Sequence, residues 1–210
     1  QHMVKTLEET TQSHNIQYIP NAIDVTKPYI EKTQGKKQKK ITIGAISRFT
    51  HEKGMDILID ILQHLDIPYE ALIAGDGELK EDLQKRAEEK KLNVEFLGWL
   101  DEGNDKEQFF KQCDVLVVPS RSEHFGLVIL EGWLYSTPVI SSNTRGGCEL
   151  ISHGETGFLF DINQPTSLIE TITQIAQGKH SLKRITKEAY QNLTMNYSTS
   201  ASQEKLSKAL

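Results

Sequence analysis

Arg48 and Lys53 belong to a short segment, Ser47-Arg48-Phe49-Thr50-His51-Glu52-Lys53-Gly54, that follows an apolar run and leads into a helix-period stretch. A helix start presents unpaired backbone N–H groups that favour an anion. Two fixed cations beside it suit a diphosphate, with arginine able to bind through two prongs and lysine acting as a point charge. The plain alternative is a pair of solvated surface cations, with His51 between them a solvent-facing loop residue. A second segment, Pro119-Ser120-Arg121-Ser122-Glu123-His124-Phe125-Gly126-Leu127, opens a very apolar helix that contains Glu131. Gly126 lets a ligand approach the backbone closely, and the N–H groups of Gly126 and Leu127 would face a phosphate. Glu131 lies about one turn into a helix otherwise built of Leu, Val, Ile and Trp, where a carboxylate is costly unless something hydrogen-bonds it. A sugar diol can meet that need through two adjacent hydroxyls, and an internal salt bridge can meet it as well.

Two glutamates flanking a site also raise glycoside hydrolysis, and their spacing disfavours it. Retaining hydrolases need carboxyl groups about 5–5.5 Å apart and inverting ones roughly 6.5–9.5 Å. The eight positions from Glu123 to Glu131 would rise about 12 Å along a helix, which suits two carboxylates gripping different parts of one extended ligand. His124 is read as packed or solvent-exposed rather than as a ligand contact. Gly75-Asp76-Gly77 begins like a dinucleotide-binding glycine motif, but Lys80 stands at the third glycine position, so an oxidoreductase using NAD is disfavoured. The chain contains no phosphate-binding P-loop, no H-E-x-x-H, no G-x-S-x-G and no metal-site spacing.

The elements that must position these residues are legible as alternating runs. Residues 41–46, 69–74, 94–97, 115–118, 138–140 and 157–160 are short and almost wholly apolar, as strands buried on both faces of a parallel sheet must be. Between them, Leu58, Ile61, Leu62 and Leu65 share one helical face, and Leu79, Leu83 and Ala87 repeat every four residues. Residues 127–134 are apolar almost all round, which predicts a buried helix. Leu168, Ile169, Ile172 and Ile175 mark another helix, Ile185, Ala189 and Leu193 a further one, and a short last one is expected near Leu206. Strand–helix alternation predicts an α/β fold, a Rossmann-like doubly wound parallel sheet. Ligands in such sheets bind beyond the carboxyl ends of the strands, here the loops starting at Ser47, Gly75, Gly98, Pro119 and Ser141.

Composition narrows the classes. Among 210 residues, 24 Lys+Arg oppose 29 Asp+Glu for a net charge of −5, which argues against a general electrostatic grip on nucleic acid or anionic membrane. The only two cysteines, Cys113 and Cys148, cannot form a disulfide framework and are expected to be thiols in a reducing compartment. No stretch approaches the roughly 20 apolar residues of a membrane-spanning helix. Gln1-His2-Met3 reads as a cloning scar, residues 16–19 as a short strand, and the basic run at residues 36–40 as a solvated linker or loop, with a docking patch for acidic lipid or phosphate as the alternative.

Taken in order, Arg48, Lys53-Gly54, Ala74-Gly75-Asp76-Gly77, Phe96-Leu97-Gly98, Glu123 with Glu131, Pro138-Val139-Ile140 and the Glu149 to Gly157 segment resemble the retaining glycosyltransferases of family 4 (group 1), enzymes of GT-B fold. Ile19-Pro20-Asn21-Ala22-Ile23-Asp24 looks like the segment that leads into that family's C-terminal domain, and the resemblance runs from about residue 16 to 195.

The resemblance implies that residues 4–210 form the C-terminal, nucleotide-sugar-binding domain, one half of a GT-B enzyme whose N-terminal acceptor domain is absent. It implies catalytic roles for Arg48 and Lys53 on the diphosphate and for Glu123 on the donor sugar. Phe125, Gly126 and Leu127 would present N–H groups to sugar and phosphate, Glu131 would hold the ribose, and Gly98 and Trp99 would border the base. The substrate would be a UDP-, GDP- or ADP-sugar, with no cofactor and no metal, in keeping with the lack of an Asp-x-Asp motif. The other partner would be the acceptor domain. The expected compartment is the cytoplasm, with any contact to the inner face of the membrane made through the missing half. A sugar-nucleotide epimerase of the same fold and a noncatalytic nucleotide-sugar-binding subunit are the alternatives. Two departures stand out. Glu131-Gly132-Trp133-Leu134-Tyr135-Ser136-Thr137-Pro138 replaces the family's E-A-x-A-x-G-x-P, and Arg145 takes the first glycine position of G-G-x-x-E, which bears on sugar identity.

Overall fold

The computed structural model describes residues 18–25, 27–32 and 40–209. Residues 1–3, residues 16 and 17 of the segment 16–19, and residues 36–39 of the basic run therefore lie outside the described residues, while Tyr18 and Ile19 are described and lie in no strand. Six strands form one sheet: β1 (Ile41–Ile46), β2 (Tyr69–Ala74), β3 (Val94–Gly98), β4 (Val115–Val118), β5 (Val139–Ser142) and β6 (Phe158–Phe160). Their order is β3-β2-β1-β4-β5-β6, and every neighbouring pair is parallel. This is the doubly wound, Rossmann-like arrangement expected from the apolar runs. β5 starts one residue later than its run because Pro138 has no N–H; its carbonyl instead accepts from Leu116 N at 2.8 Å.

The helices are α1 (Met55–Leu62), α2 (Lys80–Glu89), α3 (Asn104–Gln112), α4 (Leu127–Leu134), α5 (Arg145–Leu150), α6 (Thr166–Ala176), α7 (Leu182–Asn196) and α8 (Thr199–Ala209). Strand residues alternate between two buried layers. Ile43, Ala45, Ile73, Val115 and Val117 face the side covered by α1, α2 and α6, while Leu72, Ala74, Leu116 and Val118 face α3, α4 and α7. Both faces being covered is why these strands read as unbroken apolar runs.

Two helices have no counterpart in the sequence periodicity. α3 reads Asn-Asp-Lys-Glu-Gln-Phe-Phe-Lys-Gln and buries only Phe109 and Phe110, too few apolar positions to show a helical period. α5 spans six residues with two central glycines, held at its start by Thr144, whose hydroxyl accepts from Gly147 N at 3.4 Å. Helix α4 is buried through Ile129, Leu130, Gly132 and Trp133, as its composition predicts, but Leu127 at its first position stays 47% exposed. Among the described residues no helix is long and apolar enough to cross a membrane.

Strand order decides where a site can form. The chain moves outward from β1 to β2 and β3, then crosses back to place β4 on the other side of β1. Ile43 and Gly44 of β1 pair with Val115 and Leu116 of β4, so the loops after these two strands emerge side by side at the reversal point.

Candidate functional site

The loop after β1 is shaped by burial of one residue and support from below. Phe49 is fully buried and packs edge-on against Phe96, which leaves its neighbour Arg48 exposed at the surface. Phe49 N donates to Asp76 O at 2.8 Å, and Leu79 N donates to Phe49 O at 3.1 Å. Gly75 and Gly77, at φ +134° and +151°, lie so close beneath that a Cβ on Gly75 would collide with Ser47 O and one on Gly77 would come within 2.7 Å of Phe49 O. The Gly-Asp-Gly motif thus supports the turn that presents Arg48 rather than cradling a dinucleotide. His51–Lys53 then forms a single helical turn, and Gly54 at φ +65° starts α1.

The loop after β4 is fastened to that turn at several points. A Cβ on Gly54 would strike Pro119 O. Arg121 N donates to Glu52 O at 2.7 Å. The Arg121 guanidinium donates to both carboxylate oxygens of Asp56 at 2.7 Å and to His51 O at 3.0 Å. The hydrogen bonds from Arg121 hold the Asp56 carboxyl below its ordinary range, outweighing burial, which acts the other way. From the opposite side, Gly146 N donates to Glu123 O at 2.8 Å, and a Cβ on Gly146 would lie 2.8 Å from Glu123 O, Phe125 N and Phe125 O. Arg145, next to it, opens α5 without a positive φ, so no glycine is required there.

Between the loops lies a cleft of about 350 Å³ whose walls include Arg48, Lys53, Glu123, Phe125, Gly126 and Leu127. Gly126 caps α4 at φ +95°, so the helix N-terminus opens into this space. Lys53 Nζ lies 2.7 Å from Glu123 Oε2, with 20% and 13% of the two side chains exposed. The side chain of Arg48 makes no hydrogen bond or ion pair among the described residues. His124 is exposed and also forms part of the wall. His51 faces solvent.

Glu131, Gly98 and Trp99 do not line the cleft. Glu131 receives an internal partner: Lys106 Nζ, from α3, lies 2.9 Å from Glu131 Oε1 and also pairs with Glu102. Burial opposes the charge on Lys106, but hydrogen bonds to Glu102 and Glu131 outweigh it and raise its pKa above the ordinary lysine value. Gly98 ends β3 at φ +72° with its carbonyl accepting from Gly75 N at 2.7 Å, and Trp99 beyond it is 66% exposed.

Sequence reasoning missed Arg121, Asp56, Lys106, Gly146 and Asn21 as parts of the site. Asn21 reaches the cleft wall because Ile23, two residues on, is clamped at the α7–α8 junction by Tyr197 O and Thr199 N, each at 3.0 Å. The two glycines after Arg145 were a usable signal of close backbone approach. Arg121, Asp56 and Lys106 are single charged residues that reach partners distant in the chain, and Asn21 is one uncharged residue of an irregular segment.

Comparisons with known proteins agree with this architecture. The family described as "Glycosyl transferases group 1" matches residues 26–192. The chain is 32% identical over 159 residues to the lipopolysaccharide core biosynthesis glycosyltransferase LpsE of Rhizobium meliloti, covering 75% of this chain and 46% of that protein. It is 36% identical over 146 residues to the O-antigen biosynthesis glycosyltransferase WclY of Escherichia coli, covering 69% of this chain and 40% of that one. The crystal structure of Anabaena HepE in complex with UDP and glucose matches with a TM-score of 0.73 and 26% identity, over 81% of this chain and 48% of HepE. The chain thus spans less than half the length of these proteins. With a parallel doubly wound sheet, paired loops at its reversal point and a family match over most of its length, the chain belongs to the group 1 glycosyl transferases.

Proposed function

We propose that residues 4–210 form the donor-binding domain of a retaining glycosyltransferase, which takes a hexose from a UDP-, GDP- or ADP-sugar and passes it to an acceptor held by a separate N-terminal domain. The observation that carries this is the meeting of Arg48, Lys53 and Glu123 with the α4 N-terminus around one cleft at the sheet's reversal point. Arg48 and Lys53 would take the diphosphate. Charge builds on it as the glycosidic bond breaks, so cations fixed there stabilise the transition state more than the ground state. Glu123 would contact the donor sugar, with the N–H groups of Phe125, Gly126 and Leu127 beside sugar and phosphate. The cleft volume of about 350 Å³ suits the diphosphate and sugar. Ribose and base would extend past the rim, toward Glu131 and then Gly98 and Trp99. No metal and no cofactor enter this scheme. Retention of anomeric configuration rests on the resemblance of the ordered motif set to retaining enzymes. The compartment would be the cytoplasm, where Cys113 and Cys148 would remain thiols, with any contact to the inner face of the membrane made outside this chain.

Calorimetry of the folded chain with UDP, GDP and ADP, and with the matching sugar nucleotides, tests the reading. Saturable binding of one nucleotide series is expected. No binding to any of them overturns it. Product configuration, read by NMR from the enzyme joined to its acceptor domain, tests retention.

A further inference from the structure

We propose that Lys106 is a positioning residue for the donor nucleotide, tying the loop that would border the base to the carboxylate that would hold the ribose. The inference rests on the donor-binding reading above and deepens it. Lys106 pairs with two carboxylates. Lys106 has 15% of its side chain exposed, Glu131 on one side has 23%, and Glu102 on the other has 84%. Lys106 sits in the first turn of α3, and Glu102 lies in the five residues that join Gly98 to that helix. Glu131 rises from the second turn of α4, which starts at the cleft. One ammonium therefore pins the segment after β3 to the helix whose N-terminus would face the phosphates.

The bond from Lys106 engages Glu131 Oε1 only, and Glu131 Oε2 has no protein partner among the described residues. A carboxylate anchored through one oxygen keeps its plane and leaves the other oxygen to accept from a hydroxyl. Without the ammonium, Glu131 would stand as a lone charge on an apolar helix, where removal of a partner is costlier than the pair itself. It would turn toward water, which removes the acceptor from its place. The effect of Lys106 should thus fall on recognition of the ribose hydroxyls and spare the diphosphate.

The test compares UDP, GDP and ADP with their 2′-deoxy counterparts by calorimetry, on the parent chain, K106M and K106R. In the parent, the ribonucleotide that binds should do so more tightly than its deoxy form. In K106M its affinity should fall about tenfold while the deoxy affinity changes less than about twofold, and K106R should recover most of the difference. The ratio is measured within each variant, so partial unfolding, which lowers both affinities alike, leaves it unchanged. A parent that binds nucleotide, with an unaltered ratio in K106M, overturns the role of Lys106 and leaves the donor site standing. A parent that binds none of the six removes the donor-site reading itself and the inference with it.

Discussion

Lys53 Nζ lies 2.7 Å from Glu123 Oε2, so the cation proposed for the diphosphate and the carboxylate proposed for the donor sugar hold each other across the cleft. Neither is left as an uncompensated charge in a partly buried site, which would be the costlier arrangement. A diphosphate entering the cleft must share Lys53 with Glu123, and a sugar hydroxyl donating to Glu123 would ease that competition.

This gives opposite signs for two ligands. E123Q should bind the bare nucleoside diphosphate about fivefold more tightly than the parent, because a nearby negative charge is gone and Lys53 is released. The same variant should bind the nucleotide sugar more weakly than the parent. Calorimetry with both ligands reads the crossover; a loss for both would remove the exchange argument.

The Arg121–Asp56 pair should carry a pH signature. Asp56 titrates below its ordinary value in the folded chain, so its stabilisation is fully present above the unfolded value, about 3.9, and fades as the pH falls through the lower folded value. D56N should cost about 1–3 kcal/mol near neutrality, with the deficit shrinking below about pH 4. Denaturant melts of both proteins from pH 3 to 7 would check this, and a pH-independent difference would contradict it.

Gly146 should not tolerate alanine. The added Cβ would meet three backbone atoms at 2.8 Å, and backbone yields less readily than a flexible side chain. G146A is expected to cost about 1–3 kcal/mol and to weaken nucleotide-sugar binding, since the displaced segment carries Glu123 and Phe125. A melt combined with calorimetry separates the two effects.

Ser136 should be improvable. It follows the α4 C-cap at φ +54°, is 1% exposed, and its hydroxyl has no partner among the described residues. S136G removes both the left-handed strain and the unpaired hydroxyl, so a gain of about 1 kcal/mol is expected after the added unfolded-state entropy is subtracted. Thermal melting would show it.

The two cysteines should differ sharply in reactivity. Cys113 is 1% exposed and burial pushes its thiol up to about 12, while Cys148 is exposed on α5. A thiol-specific chromogenic reagent at pH 8 should titrate one thiol in the native chain and the second only after denaturation.

Much of the fold was legible because its requirements are local. A strand covered on both faces has to be apolar throughout, so six strands announced themselves as short β-branched runs. α3 escaped because it buries only two phenylalanines amid seven polar residues, and α5 because two glycines obscure a helix that Thr144 caps. The cleft-lining residues Arg48, Lys53, Glu123 and Gly126 were legible as unusual chemistry at strand-to-helix junctions. For Glu131 the sequence left a sugar diol and an internal salt bridge open, and only the placement of α3 beside α4 supplied Lys106.

The amino-acid sequence by itself therefore determined the strands, most of the helices, the glycines that let loops pack on backbone, and which side chains could meet a diphosphate or a diol. The tertiary structure alone decided who faces whom. Lys53 and Glu123 are 70 positions apart, and Arg121 and Asp56 are 65 apart. They meet because the chain crosses back over the sheet to set β4 against β1. Strand order is settled by the packing of the whole sheet, and no spacing within a single segment records it.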